Sequence, residues 1–262
     1  MVRDVGHCRE SEVRGRLAAT KETTEADVMV PRPDSHQRSR ALPHPRIGSR
    51  ASLAIAAVEV GLVAVAVVAD VLLPTLVILG LMTVSLVLRG ERLPAVGLRA
   101  LGQPWRRAGQ ILALTLVWTV AQLALFMPLL ERVTASRQDL SDFAGLRGDV
   151  GMLAVLLALS WTLAALGEEL AYRGYLFTRV TNAVGSGTTG VVIAVLVSSL
   201  LFGLAHTEQG VVGVSLTFLD AVFFSVLRLR FASVWASVLA HGYNNTIGLV
   251  AFFLIGPVYA LW

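Results

Sequence analysis

Charged residues are scarce in this chain. They make up 15% of its 262 residues, whereas hydrophobic residues make up 55%. A soluble domain carries about 25% charged residues, which it needs to cover its water-facing surface. The scarcity therefore argues strongly against a soluble globular enzyme and indicates a multi-spanning membrane protein. The length allows about seven spans of about 20 residues with their loops, so we expect an all-α polytopic membrane helix bundle of about seven transmembrane helices.

Cysteine is almost absent as well. Cys8 is the single cysteine, which excludes an intramolecular disulfide and a thiolate metal cluster. The sequence also has no HExxH segment, the pattern by which many metalloproteases bind zinc. The chemistry must therefore come from carboxylates, imidazoles and other side chains placed in the apolar spans.

The polar and apolar parts of the chain are sharply separated. Residues 1–48 are polar, mixed in charge and rich in proline, so we expect a disordered cytoplasmic tail. Residues 49–149 are expected to form N-terminal membrane helices, and residues 150–256 a helix bundle that carries the site. The apolar spans are predicted at 51–69, 71–88, 109–130, 150–180, 189–206, 210–227 and 232–256.

Arginine is unevenly distributed among the loops. The loop at 89–108 carries five arginines and one glutamate, whereas the loop at 131–149 has three arginines and four acidic residues. Two further arginines, Arg228 and Arg230, follow the sixth span. Because positively charged loops stay in the cytoplasm, we expect a multi-pass protein of the cell membrane whose N-terminus is cytoplasmic.

Several ionisable or amide side chains lie within the apolar spans. A charge at membrane depth costs at least a few kcal/mol, so such residues are functional candidates. The strongest candidates are Glu168, Glu169, Arg173, His206, His241 and Asn245. Glu169 and Arg173 are four residues apart, as are His241 and Asn245, so each pair is expected to share a helix face. Three isolated acidic residues, Glu59, Asp70 and Asp220, are expected to be structural.

Each of these groups also has a purely structural interpretation. The glutamate–arginine pair could only stabilise the fold, His206 could lie at the membrane interface, and His241 with Asn245 could join helices. Their joint occurrence on three spans favours a shared use. We therefore expect one polar cavity, open toward the cytoplasmic half of the bilayer.

Three short motifs in these spans resemble those of one family. Residues 167–176 (GEELAYRGYL) resemble the EExxxR motif of the CPBP family, which includes type II CAAX prenyl proteases and bacteriocin-processing and immunity proteins. Residues 202–206 (FGLAH) resemble its FxxxH motif, and residues 241–245 (HGYNN) its HxxxN motif. The motifs occur in the family's order, and the resemblance extends over about residues 150–250.

The resemblance implies an intramembrane endopeptidase that acts on a peptide or protein in the lipid bilayer, and no nucleic-acid partner is expected. Glu168 would be the general base, helped by His206. His241 and Asn245 would stabilise the oxyanion. Two further residues, Glu169 and Arg173, would orient the site.

Two questions stay open at this point. Glu168, His206 and His241 could instead be ligands of a divalent metal such as zinc, so the cofactor is either a metal or none. The same cavity could also serve a non-catalytic immunity or scaffold protein that binds a peptide or partner. A proton-coupled transporter is a further possibility, although no internal repeat of the transporter kind is visible.

Overall fold

The computed structural model describes residues 49–71 and 73–257, and the predicted tail at 1–48 lies outside them. The described residues form seven long helices with short connections and contain no strand. The helices are α1 (Ser49–Val68), α2 (Pro74–Arg89), α3 (Pro104–Thr134), α4 (Val150–Val184), α5 (Thr188–Leu204), α6 (Gly210–Phe231) and α7 (Val234–Ile255). Five of them are long and apolar enough to cross a membrane, while α2 and α5 are shorter apolar helices. The all-α membrane bundle expected from composition is confirmed.

Local chemistry explains where several helices begin and end. The Asp149 carboxylate caps α4, because it accepts a hydrogen bond from the Met152 amide at 2.9 Å. Proline occupies the first position of α2 and of α3, where a missing N–H costs nothing. Gly90 ends α2 in the left-handed conformation with φ of 63°.

The surface of the bundle is apolar and its interior contains charge. Val87 and Leu88 are 73% and 79% exposed, whereas Glu169 and Arg173 are 0% exposed. This is the reverse of a soluble protein, in which ionised side chains are almost never fully buried unless they are paired. The outer faces of the helices are therefore suited to contact lipid.

Close helix packing positions the elements that carry the site. The central helix α7 contacts α3, α4 and α6. Gly203 in α5 faces α6 so closely that an added Cβ would lie 2.9 Å from the carbonyl oxygen of Val214. Only glycine fits this approach, which holds the end of α5, and with it His206, against α6.

One end of the bundle joins the loop at 90–103 to the turn before α7. The amide of Val234 donates to the carbonyl oxygen of Gly97 at 2.9 Å. The guanidinium of Arg179, near the end of α4, lies 3.0 Å from the carboxylate of Glu91. We call this the arginine-rich end, after the described arginines Arg50, Arg89, Arg92, Arg99, Arg106, Arg107, Arg179, Arg228 and Arg230.

The other end joins the loop at 135–149 to the loop before α6 and to the end of α7. The Asp139 amide donates to the carbonyl oxygen of Gln209 at 3.0 Å, and the Gly148 amide donates to that of Phe253 at 3.1 Å. We call this the acidic end. Its described charged residues are Asp70, Glu131, Asp139, Asp142, Asp149 and Glu208, with Arg132, Arg137 and Arg147.

Glu59 ties three helices together. Its carboxylate lies 3.0 Å from Arg89 of α2 and 3.1 Å from Arg179 of α4. These two ion pairs agree with the structural role expected for this isolated charge.

Candidate active site

The middle of α4 is wound more loosely than an α-helix. Residues Ser160–Leu176 form a π-helix, in which each amide bonds five residues back instead of four. The α-helical geometry expected for this stretch is therefore wrong. The segment carries Glu168, Glu169 and Arg173, and π turns are rare features that often mark functional sites.

Glu169 and Arg173 form the ion pair expected from their spacing. Their Oε1 and Nη1 atoms are 3.0 Å apart, and both side chains are 0% exposed. The guanidinium carbon also lies 4.1 Å from the centre of the Phe202 ring, a cation–π contact that supports the arginine from α5. The pair is thus locked in place away from water.

His241 lies between the two glutamates. Its Nδ1 is 3.0 Å from Oε1 of Glu169, and its Nε2 is 4.0 Å from Oε2 of Glu168. Its ring stacks on Phe224 at 5.0 Å and meets Phe202 edge-on at 5.9 Å. A carboxylate that accepts the Nδ1 proton fixes both the tautomer and the ring orientation, so Nε2 is held toward Glu168.

His206 reaches the same place from the end of α5. Its Nδ1 is 2.8 Å from the carbonyl oxygen of Phe202, so this nitrogen donates to its own helix and Nε2 is left for the cavity. Glu168, His206 and His241 line the same cavity. The two histidines therefore converge on one carboxylate from different helices.

These side chains lie on one cavity of about 470 Å³. All four residues predicted to be catalytic line it: Glu168, His206, His241 and Asn245. Most of the remaining wall is apolar and includes Leu156, Leu163 and Phe252. Its volume and its few convergent polar groups are typical of a small-molecule or peptide site.

The cavity reaches the acidic end of the bundle. Its lining includes Gln138, Leu140 and Phe143 from the loop after α3, with Gln209 and Gly256 beyond α5 and α7. If the arginine-rich end is cytoplasmic, as its charge predicts, the cavity opens on the other side. The expected opening toward the cytoplasmic half of the bilayer is therefore incompatible with the expected orientation.

A second polar group on the cavity wall surrounds Asp220, which the sequence predicts to be structural. Asp220 accepts a hydrogen bond from the Trp118 indole at 2.6 Å and faces the Asn244 amide at 3.5 Å. Thr119 donates to the same amide's oxygen at 2.9 Å. The charge of Asp220 in an apolar span is the sequence signal for this group, whereas nothing in the sequence singles out Trp118.

A glycine in the third motif sets the distance between α7 and α4. A Cβ at Gly242 would lie 2.5 Å from the Trp161 ring, which packs directly on the backbone next to His241. The Trp161 indole donates to Thr246 at 3.1 Å, one turn further along α7. This contact holds His241 at the level of Glu168.

The donor atoms do not fit a metal centre. Among the described residues, no group of three His, Cys, Asp or Glu side chains is placed to hold a metal ion. The bonds at Nδ1 leave Nε2 of His241 and of His206 toward the cavity, but these nitrogens and the Glu168 carboxylate are not placed together as a ligand set. The possible ligand set of Glu168, His206 and His241 therefore has no support, and we assign no step to a metal.

Fold and site together define a multi-pass helical membrane protein whose carboxylate, imidazole and amide groups gather around one cavity. The family model described as type II CAAX prenyl endopeptidase Rce1-like matches residues 150–247. This match confirms the resemblance predicted from the three motifs, and it covers α4, α5, α6 and α7 as far as Ile247. Comparison with curated proteins and with solved structures finds no match.

Proposed function

We propose that this protein is an intramembrane endopeptidase that hydrolyses a peptide bond of a membrane-associated peptide or protein. The family match over residues 150–247 supports the general activity. One geometric observation carries the proposal. Glu168 faces Nε2 of His241 across 4.0 Å on the wall of the cavity, while the buried Glu169 holds the same imidazole from behind at 3.0 Å.

Charges of both signs surround His241. Two carboxylates, Glu168 and Glu169, lie beside one guanidinium, Arg173. An uncompensated charge is costly in a medium of low dielectric. The proposed mechanism uses His241 with a proton on Nε2 as well as on Nδ1, so that the Nε2–H is a donor toward the cavity and the four charges cancel.

Glu168 is the general base in this proposal. A separation of 4.0 Å from His241 is too long for a direct hydrogen bond, so the Glu168 carboxylate can accept a hydrogen bond from a water molecule in the cavity. The carboxylate takes a proton from this water as the water oxygen attacks the scissile carbonyl carbon. His206, whose Nε2 is left to accept, orients the second hydrogen of the water.

Donors for the developing negative charge come from α7. The Nε2–H of His241 and the side-chain amide of Asn245 stabilise the oxyanion of the tetrahedral intermediate. The C–N bond then breaks, and the leaving amine takes the proton held by Glu168. One water is consumed, a carboxylic acid and an amine are released, and Glu168 returns to its ionised form; the acid then passes its proton to the amine or to water.

The direct test is the Glu168→Gln variant, which keeps the size of the side chain and one acceptor oxygen but removes the base. Membrane peptides are first compared in cells with and without the protein, to find a cleaved peptide. Cleavage of that peptide by purified protein in detergent is then measured for wild type, for Glu168→Gln and for Glu208→Gln, an exposed glutamate used as control. We expect Glu168→Gln to fold and bind but not to cleave, and Glu208→Gln to cleave normally.

Two results contradict the proposal. Unchanged cleavage by Glu168→Gln means that another group is the base. If wild type and Glu168→Gln bind the same peptide and neither cleaves it, the non-catalytic immunity or scaffold function is the better conclusion.

A further inference from the structure

The two ends of the bundle differ strongly in charge. The arginine-rich end carries nine arginines among the described residues, against two glutamates, Glu91 and Glu59, the second of which pairs with Arg89 and Arg179. The acidic end carries six acidic residues and three arginines within the described part of the chain. Its Asp139 accepts a hydrogen bond from the Ser141 amide at 2.9 Å, and the bonds from Ser141 lower the pKa of that carboxyl, which keeps it ionised.

This difference in charge predicts how the protein is oriented in the membrane. Short loops rich in arginine remain in the cytoplasm, and acidic residues have little influence on orientation. The loops of the arginine-rich end are short enough for this rule to apply. The acidic end therefore lies on the non-cytoplasmic side of the membrane.

The cavity is framed at the acidic end. Gln138 donates to Gln209 at 2.9 Å, and the Asp139 amide donates to the Gln209 carbonyl oxygen. These bonds join the loop after α3 to the loop before α6, and both glutamines line the cavity. The mouth is thus built from loops of the acidic end.

The cavity is closed toward the arginine-rich end. The α4 side chains that follow Glu168 in this direction are buried, since Tyr172 and Leu176 are 0% exposed and Tyr175 is 1% exposed. The fully buried pair of Glu169 and Arg173 lies in the same layer. Water and substrate therefore have no path from the arginine-rich end through this part of α4.

We propose that the site takes its substrate from the non-cytoplasmic face, as an apolar peptide segment of an exported or membrane-anchored protein exposed on that side. This inference rests on the proposed endopeptidase function and specifies its substrate class. The leucine and phenylalanine side chains on the cavity wall suit an apolar segment, and the mouth admits it without passage across the bilayer.

Cysteine accessibility tests the side of the membrane to which the cavity opens, and it does so without requiring peptide cleavage. The single native cysteine is first removed by Cys8→Ser. Single cysteines are then introduced by Ser141→Cys, next to the mouth, by Ala164→Cys, on the cavity wall, and by Arg106→Cys, exposed at the arginine-rich end. Each variant is treated with a charged, membrane-impermeant maleimide in intact cells and again after permeabilisation, which labels all accessible positions.

We expect Ser141→Cys and Ala164→Cys to react in intact cells as fully as after permeabilisation, and Arg106→Cys to react only after permeabilisation. Reaction of Arg106→Cys in intact cells, or failure of Ser141→Cys or Ala164→Cys to react there, overturns the inference. Cleavage in detergent, where both faces are accessible, reports separately on the proposed function. A protein that cleaves in detergent but labels with the opposite sidedness is an endopeptidase with a cytoplasmic substrate.

Discussion

Removal of the Arg173 guanidinium should destabilise the fold severely. Arg173→Ala leaves Glu169 buried without its ion-pair partner, in a place where both side chains are 0% exposed. Breaking a buried pair in this way costs about 3–5 kcal/mol. His241 lies 3.0 Å from the same carboxylate and can compensate part of its charge, so we expect about 3 kcal/mol, near the lower limit.

A loss of this size changes the folding equilibrium by about a hundredfold, since each 1.4 kcal/mol is a factor of ten. The measurement is the free energy of unfolding in mixed detergent micelles, titrated with a denaturing detergent. Arg230→Ala is the control, because an exposed arginine should change the free energy by no more than about 0.5 kcal/mol. If Arg173→Ala unfolds at the same denaturant concentration as wild type, the pair does not stabilise the fold as argued.

The double change Glu169→Gln with Arg173→Met separates stability from activity. It replaces a buried ion pair by neutral side chains of similar volume, which is often tolerated well. We expect it to recover much of the stability lost in Arg173→Ala. Cleavage should stay absent, because His241 no longer has a carboxylate at Nδ1 to hold it as a donor.

Three further outcomes are expected. Asn245→Ala should lower kcat by about 10²–10³ with little change in KM, the usual cost of one oxyanion donor, and an unchanged kcat would remove this residue from the mechanism. Gly242→Ala should reduce the free energy of unfolding by about 1–3 kcal/mol, because its Cβ would lie 2.5 Å from Trp161, whereas Gly248→Ala on the same helix has open space and should not reduce it. Metal chelators should leave cleavage unaffected; loss of activity on chelation that zinc restores would contradict the donor geometry described here.

The membrane bundle could be predicted because it depends on composition. A continuous apolar run of about 20 residues has few alternatives to a spanning helix, so the spans and the described helices agree closely. The candidate residues could be predicted for a related reason. A carboxylate or imidazole in such a run is costly, so Glu168, His206 and His241 stood out without any knowledge of their contacts.

Contacts between helices could not be derived from spacing on one helix. The spacing on α7 predicts that His241 and Asn245 share one helix face, but it does not reveal that the His241 imidazole bonds Glu169 of α4 at 3.0 Å. The partnership depends on how α4 and α7 are set against each other, which Gly242 and Trp161 decide through close packing. The sequence pattern of either helix does not give the distance between α4 and α7.

The end at which the cavity opens could not be predicted from single helices either. The rise per residue gives the depth of Glu168 and His241 in the membrane. It does not tell from which side of the membrane water reaches them. The outcome depends on which end is closed by packed side chains and which is framed by loops. Tyr172 and Tyr175 close one end, and the bonded Gln138 and Gln209 frame the other. The arginines lie at the closed end, so the orientation that we propose from them leaves the open end on the non-cytoplasmic side, and the cysteine-labelling experiment tests this combination.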